Sequence, residues 1–213
     1  MTEAPRLDGR RARTRAALVA AAQQLLVEDR TNVSVLEITQ LADVGQGSFY
    51  NHFESKDQLF QAAVDAVLEQ HGALMDEVTA GIEDPAEVFA RAFRLTGRLH
   101  RLMPGVSQIM LRHGTEMLMS ERGLAPRALR DIRSAAATGR FRVADPELAL
   151  AAAGGAILAL GQLLHSQPER DAARSADDLT VDLLRLFGLS EDEAREVCAR
   201  PLPDLSGLTD LPG

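Results

Sequence analysis

The chain is poor in the residues on which several protein classes depend. Of its 213 residues one is cysteine, none is tryptophan, and only 4% are aromatic. A single cysteine excludes an internal disulfide framework and a four-cysteine zinc site. With so few aromatic rings, leucine and alanine must supply most of the core.

Catalytic and membrane signatures are lacking as well. The serine, histidine and aspartate residues form no nucleophile elbow, and no glycine-rich phosphate loop is present. The N-terminus has no apolar run typical of a signal peptide, and no uninterrupted apolar run reaches the ~18 residues of a membrane helix. We therefore expect a cytoplasmic protein that is not an enzyme and needs no cofactor.

Negative charge dominates the chain, but its distribution is uneven. The formal net charge is -8, yet Arg6, Arg10, Arg11, Arg13 and Arg15 place five positive charges near the N-terminus. A short basic arm can contact DNA phosphates or the minor groove while an acidic body stays away from the duplex. The alternative is a solvated terminus without function.

Residues 34–60 carry the pattern of two short helices joined by a tight turn and followed by a third helix. Ser34 and Glu37 form a capping box that predicts the first helix. A turn at 43–45 interrupts its apolar spacing, and a second helix is predicted over 46–53. The second helix presents small and polar side chains on its outer side, which suits the major groove of DNA.

This stretch resembles the helix-turn-helix signature of the TetR family of bacterial transcriptional regulators. Asp43 stands where that family usually has a turn glycine, and Gly45 where Ser or Thr usually caps the recognition helix. Asp tolerates left-handed backbone geometry and Gly is an acceptable cap, so we expect the motif to survive both departures. The matching positions are Val35, Glu37, Ile38, Ala42, Val44, Gly47, Tyr50, Phe53, Ser55, Lys56 and Asp57.

The candidate DNA-binding residues come from the basic segment and the second helix of the motif. By the resemblance, Tyr50 and Lys56 would hold backbone phosphates, with Thr14 a weaker candidate. The alternative is that Tyr50 is a half-buried core ring and Lys56 a solvated charge. The full predicted set is Arg10, Arg11, Arg13, Thr14, Gln46, Gly47, Ser48, Tyr50, Asn51, His52 and Lys56.

The rest of the chain predicts helices only. Asp84-Pro85 and Asp145-Pro146 are cap-plus-proline helix starts, and we find no strand pattern. The prediction is an all-α protein of about nine or ten helices. Residues 1–56 would form an N-terminal arm and a three-helix helix-turn-helix DNA-binding domain. Residues 57–213 would form a helical ligand-binding and dimerisation domain.

A cluster of Phe, Met and His side chains between residues 89 and 119 is the candidate ligand cavity. Methionine lines adaptable pockets, although a helical methionine stripe is also common in ordinary cores. The histidines would contact ligand or be hydrogen-bonded core residues, and with no cysteine or carboxylate partner in sight we expect no metal. The predicted lining is Phe89, Phe93, Thr96, His100, Met103, Met110, His113 and Met117.

Two predicted helices near the C-terminus, over 146–165 and 176–187, have more apolar surface than one body should bury. By the resemblance, they would pair with their twofold mates as a four-helix interface. The alternative is burial within the chain. The predicted interface residues are Gly154, Leu158, Gly161, His165, Leu179, Leu183 and Phe187.

These observations together predict a ligand-responsive transcriptional regulator. It would bind a palindromic operator as a homodimer and be released as a repressor by a small apolar effector. A helical carrier protein whose DNA contacts have lapsed is the first alternative, and it predicts ligand affinity without operator binding. A helical enzyme would depend on His100 or His113. Activation in place of repression also stays open.

Overall fold

The computed structural model describes residues 4–118 and 123–203, without the side chains of 4–8 and 115–117. Every regular element within these residues is an α-helix, which confirms the predicted all-α class. The ten helices are α1 (Ala4–Val27), α2 (Val35–Leu41), α3 (Gln46–Phe49), α4 (Lys56–Thr79), α5 (Pro85–Leu102), α6 (Pro104–Leu118), α7 (Leu124–Ala137), α8 (Pro146–Ser166), α9 (Ala172–Leu186) and α10 (Glu191–Ala199).

The chain divides into two compact units within α4. The first runs through Val67 and the second begins at Leu68. The early turns of α4 belong to the first unit, and Leu59 and Ala63 on them are fully buried. The predicted boundary after residue 56, between a DNA-binding domain and a ligand-binding and dimerisation domain, stays a prediction.

The first unit is organised by the caps that its sequence carries. The Ser34 hydroxyl accepts a hydrogen bond from the Glu37 backbone N–H at 3.1 Å and begins α2. Asp43 adopts a φ of 51° in the turn, so the aspartate does stand in for a turn glycine. Gly45 caps α3 without any side-chain hydrogen bond. Phe49 is completely buried and anchors α3 to the core.

The second unit is built around α5. This helix contacts every other helix from α6 to α10. Its Phe89 ring lies 5.6 Å from that of Phe141 and 5.4 Å from that of Phe187, both edge-on. Such aromatic contacts add to the free energy gained by burying the rings. Three of the seven phenylalanines therefore meet where α5, the end of α9 and the segment before α8 come together.

Helix α8 is the most apolar helix described. By length and composition alone it is the one helix in 4–118 and 123–203 that could cross a membrane. Of its most apolar 18 residues, 33% are buried inside the protein. Ala149, Ala153, Ile157, Leu160 and Leu164 form one buried face of it at helical spacing. α8 is therefore a core helix of the second unit.

Helix starts differ from the prediction at α1 and α9. The apolar spacing predicts a first helix from Thr14, whereas α1 begins at Ala4. The helix predicted over 176–187 begins at Ala172, since Asp171 accepts a hydrogen bond from the Arg174 N–H and caps it. α4 continues through Gly72 to Thr79, as the apolar spacing beyond the glycine indicates.

Candidate DNA-binding surface and ligand cavity

The candidate DNA-binding surface lies around α3. The helix is shorter than predicted, because Tyr50, Asn51 and His52 lie in the turn that follows it. Gln46, Gly47 and Asn51 are exposed, and Ser48 and His52 are half-buried. The predicted contact residues are therefore at least partly accessible, and they are divided between a helix and a turn.

Tyr50 and Lys56 differ in how the fold holds them. The Tyr50 side chain is 67% exposed, with its ring packed edge-on against Phe49 at 5.2 Å, so it is not a core ring. The half-buried Lys56 ammonium donates a hydrogen bond to the Val33 carbonyl at 2.7 Å. Lys56 thus fixes the loop before α2, and its remaining N–H groups can still reach a phosphate.

The basic N-terminal segment is part of α1 rather than a detached arm. Arg10, Arg11 and Arg13 are exposed on this helix, and the Thr14 hydroxyl donates to the Arg10 carbonyl at 3.1 Å. The Arg11 guanidinium donates to the Asn51 carbonyl at 3.4 Å.

The arginines on α1 give the turn after α3 a positive surrounding. The Arg15 guanidinium lies 5.2 Å from the centre of the Phe53 ring, within cation–π range. Burial, with Arg11 and Arg15 nearby, lowers the pKa of His52. This is the charge that a phosphate backbone requires.

The second unit contains a partly open cavity of about 100 Å³. Four of the predicted ligand residues lie in its wall, namely Phe89, Phe93, Thr96 and Met110. Further apolar side chains complete the wall: Met75, Leu118, Leu124, Leu150, Ile157 and Leu158. The cavity is thus formed between α4, α5, α6, α7 and α8.

His100 is a hydrogen-bonded core residue and does not line the cavity. Its Nε2 lies 3.1 Å from the Ile157 carbonyl, and its Nδ1 lies 2.7 Å from the Ser107 hydroxyl, which in turn lies 2.8 Å from His165 Nε2. Burial lowers the pKa of His100 to about 4, so the ring is neutral. Because a carbonyl only accepts, Nε2 carries the proton and Nδ1 accepts from Ser107.

The other predicted ligand residues lie elsewhere. Met103 packs against Leu74, Leu95 and Leu99. His113 on α6 is outside the cavity wall, and the side chain of Met117 falls outside the described residues. Of the predicted methionine and histidine residues whose side chains are described, only Met110 therefore lines the cavity.

Sequence reasoning missed the polar wall of the cavity. Asp76 on α4 accepts hydrogen bonds from Arg127 Nε at 2.6 Å and Arg130 Nη2 at 2.9 Å. Arg130 Nε also donates to Asp131 Oδ1 at 3.0 Å. All four residues line the cavity. The available signal was their spacing on α7, where positions 127, 130 and 131 share one helix face.

The pKa values of the two carboxyl groups in this wall are shifted in opposite directions. Burial raises the pKa of the Asp131 carboxyl, although its hydrogen bond with Arg130 opposes the shift. Burial also disfavours ionisation of Asp76, but hydrogen bonds from Arg127 and Arg130 hold its pKa below the ordinary value. No group of three metal-ligating side chains occurs in the described part of the chain.

Most predicted dimer-interface residues are engaged inside the second unit. Leu183 and Phe187 are buried, Leu179 is partly buried, and Leu158 lines the cavity. His165 is half-buried and contacts Ser107 as described above. These positions therefore pack within the second unit, and their role in a dimer interface stays a prediction.

The glycines of α8 show which side faces outwards. A Cβ at Gly154 would lie 2.0 Å from Leu118 Cδ2, and one at Gly161 would lie 2.6 Å from the His100 ring. A Cβ at Gly155 would meet nothing within 4 Å. Leu148, at the start of the same outward side, is 69% exposed.

Comparison with known proteins identifies the family. Residues 17–63 match the family model of the tetR family of bacterial regulatory proteins, and residues 84–200 match that of the tetracyclin repressor-like C-terminal domain. No protein of curated function matches the chain.

Solved structures agree with the family models. The structure of RolR without ligand is 34% identical, with a TM-score of 0.74, and the match covers 89% of this chain and 98% of RolR. RolR in complex with resorcinol is 33% identical, with a TM-score of 0.65 and coverage of 93% and 99%. A SmeT–triclosan complex shares the fold at 21% identity, with a TM-score of 0.60 and coverage of 90% and 99%. The chain belongs to the TetR family of bacterial regulatory proteins and is a DNA-binding transcriptional regulator.

Proposed function

We propose that the protein is a homodimeric cytoplasmic repressor that binds a palindromic operator and is released by a small neutral aromatic molecule bearing hydroxyl groups. The observation that carries the proposal is the cavity of the second unit, whose apolar walls end in paired charges. The DNA-binding residues are those predicted above around α3, on α1 and at the start of α4.

The size of the cavity favours a ligand of a single ring. One water needs roughly 10–15 Å³ of such space, so about 100 Å³ corresponds to about seven to ten waters. Phe89 and Phe93 offer aromatic rings, and Ile157 an aliphatic surface, against which the ring of a ligand can pack.

The polar wall favours a ligand that is neutral and carries hydroxyl groups. With both carboxylates ionised, Asp76, Asp131, Arg127 and Arg130 sum to zero charge. An ionised ligand would therefore bury an unpaired charge, which is costly. A hydroxyl group can donate to a carboxylate and accept from a guanidinium. RolR, which is 33% identical, was crystallised with resorcinol, a ring with two hydroxyl groups.

The outward side of α8 supports the dimer. Leu148, Ala151, Ala152, Gly155 and Ala159 follow one another at helical spacing and are all exposed. Small side chains along such a stripe let two helices approach closely. Leu186 on α9 is 65% exposed as well. A twofold axis through this surface would bury both sets at once.

The dimer is tested by replacing Ala152 with Glu. A charge at the centre of the stripe should turn the dimer into a monomer in sedimentation velocity, because burying it unpaired is costly. Glu147→Gln, at an exposed position of the same helix, is the control and should remain dimeric. A dimeric Ala152→Glu protein would refute this interface.

The operator is tested with DNA from upstream of the gene, across a salt series. Specific binding with a steep salt dependence is expected, since phosphate contacts release counterions. Tyr50→Phe removes only the hydroxyl and keeps the ring on Phe49, so a loss of about five- to tenfold would report a phosphate contact. Resorcinol binding without any operator binding would favour the carrier alternative.

A further inference from the structure

One wall of the cavity is also the attachment of α4 to α7. Asp76 on α4 receives a hydrogen bond from each of two α7 arginines, Arg127 and Arg130. All three residues line the cavity. A ligand hydroxyl bound at this wall therefore meets the charges that hold the two helices together.

Arg127 extends this attachment along α4, beyond the cavity. Its Nη1 and Nη2 donate to the two carboxylate oxygens of Glu69 at 3.1 and 2.7 Å, the paired geometry that makes arginine–carboxylate bonds strong. Nη1 also donates to the Gly123 carbonyl at 2.9 Å, just before α7 begins. One guanidinium thus joins two positions of α4, two helical turns apart, to the start of α7. Glu69 is not part of the cavity wall.

Gly72 makes room for this guanidinium. A Cβ at that position would lie 2.6 Å from Arg127 Nη1 and 2.9 Å from its Cζ. Glycine is a poor residue for a helix interior, and Gly72 has no positive φ that would require it. The close approach of Arg127 is therefore the feature of the fold that the glycine accommodates.

We propose that Arg127 is the positioning residue through which an occupied cavity changes the attachment of α4. The inference rests on the proposed function, because it needs an effector and an operator. A hydroxyl that bonds to Asp76 competes with Arg127 Nε, while Glu69 keeps hold of the other end of the guanidinium. α4 runs without interruption from Lys56 to Thr79, so a change at residues 69–76 reaches the unit that carries the DNA-binding motif.

The test uses two variants that leave every cavity residue in place. Glu69→Gln removes the charge that orients the Arg127 guanidinium, and Gly72→Ala places a methyl group where that guanidinium lies. The ratio of operator affinities without and with saturating resorcinol is measured for each full-length protein. Both variants should lower this ratio at least about fivefold relative to the wild type, since it measures the coupling between the two sites.

Two further readouts separate coupling from simple loss of stability. Glu147 on α8 is an exposed carboxylate that pairs at 3.2 Å with Arg133, which lies on α7 like Arg127. Its replacement in Glu147→Gln should keep the wild-type ratio. Affinity for resorcinol without DNA should stay within about threefold in Glu69→Gln, because no direct contact is lost. A purely structural role would lower the melting temperature and leave the ratio unchanged.

The outcomes distinguish this inference from the function on which it rests. A wild-type ratio in both Glu69→Gln and Gly72→Ala, with resorcinol binding intact, would overturn the role of Arg127 alone. A wild-type protein that binds its operator but ignores resorcinol would overturn the proposed effector class, and this inference with it. A lowered ratio in both variants and not in Glu147→Gln would support it.

Discussion

The two compact units differ in where their functional polar side chains lie. In the first unit the candidate contact residues lie at the surface, with Tyr50 67% exposed. In the second unit polar groups lie inside and are paired with one another, as when His71 Nε2 lies 3.1 Å from the Thr96 hydroxyl. An exposed contact surface can be encoded by a short stretch of sequence. Buried polar groups need partners from distant parts of the chain.

This contrast has an energetic side. Among the described residues no fully buried side-chain nitrogen or oxygen lacks a hydrogen-bond partner. Leaving a buried polar group unpaired costs more than its hydrogen bond contributes on average. A ligand that bonds to the polar wall of the cavity must therefore compete with hydrogen bonds that already exist, whereas DNA meets exposed side chains such as Tyr50 and Gln46.

Acid should affect the two units most differently. Burial lowers the pKa of both His71 and His100 to about 4, from an ordinary value of 6.5. Below pH 6.5 these two histidines are protonated in the unfolded chain but stay neutral in the folded protein. The free energy of unfolding should then fall by about 1.4 kcal/mol per pH unit for each histidine, until the pH reaches the folded pKa. Above pH 6.5 this loss disappears.

Urea unfolding followed by NMR resolves the two units and measures this difference. The second unit should lose stability on going from neutral pH to about pH 5, and His71→Gln should remove roughly half of that slope. The one histidine of the first unit, His52, is half-buried, so the stability of the first unit should change less over this pH range. Equal acid sensitivity of both units would contradict the contrast between them.

A methyl group added to α8 should separate inside from outside within the second unit. Gly161→Ala brings a Cβ to 2.6 Å from the His100 ring and should lower the free energy of unfolding by ~1–3 kcal/mol. Gly155→Ala meets nothing within 4 Å and should be neutral or stabilising by up to ~1 kcal/mol, since alanine favours helix. Thermal unfolding compares the two, and equal shifts would show that the packing on His100 is not rigid.

The smallest expected effect lies in the first unit. Lys56→Met removes the hydrogen bond to the Val33 carbonyl and should cost ~1 kcal/mol of folding stability, because the freed carbonyl can turn to water. It should also weaken operator binding. Tyr50→Phe is the matched comparison, since it should weaken operator binding and leave the melting temperature unchanged. An unchanged melting temperature for Lys56→Met would assign Lys56 to DNA contact alone.

How well the sequence predicts a region depends on how far apart along the chain its interacting residues lie. The cap at Ser34 and the turn at Asp43 depend on neighbours within a few positions, and both were predicted. Phe89 and Phe93 were expected at the cavity because they share one helix stripe. The pairing of Asp76 with Arg127 joins residues 51 positions apart, and no helical spacing encodes it.

Helices that are apolar on every side, or that offer two caps, also defeat sequence reasoning. The spacing in α8 does not tell whether Gly154 or Gly155 faces the core, since both lie in an unbroken apolar stretch. The start of α9 was predicted one turn too late, because Asp171 caps the helix four residues before Ser175. Packing decides such cases, and packing depends on the whole fold.

Two notches in α8 have a mechanical consequence. Gly154 receives Leu118 from α6, and Gly161, seven residues later, receives the His100 ring from α5. Seven residues make two turns, so both notches open on the same side, ~10 Å apart along the axis. Contacts at two points with two different neighbours resist both sliding and rotation of α8 against α5 and α6. We therefore expect a ligand to displace α4 and α7 more readily than these three helices.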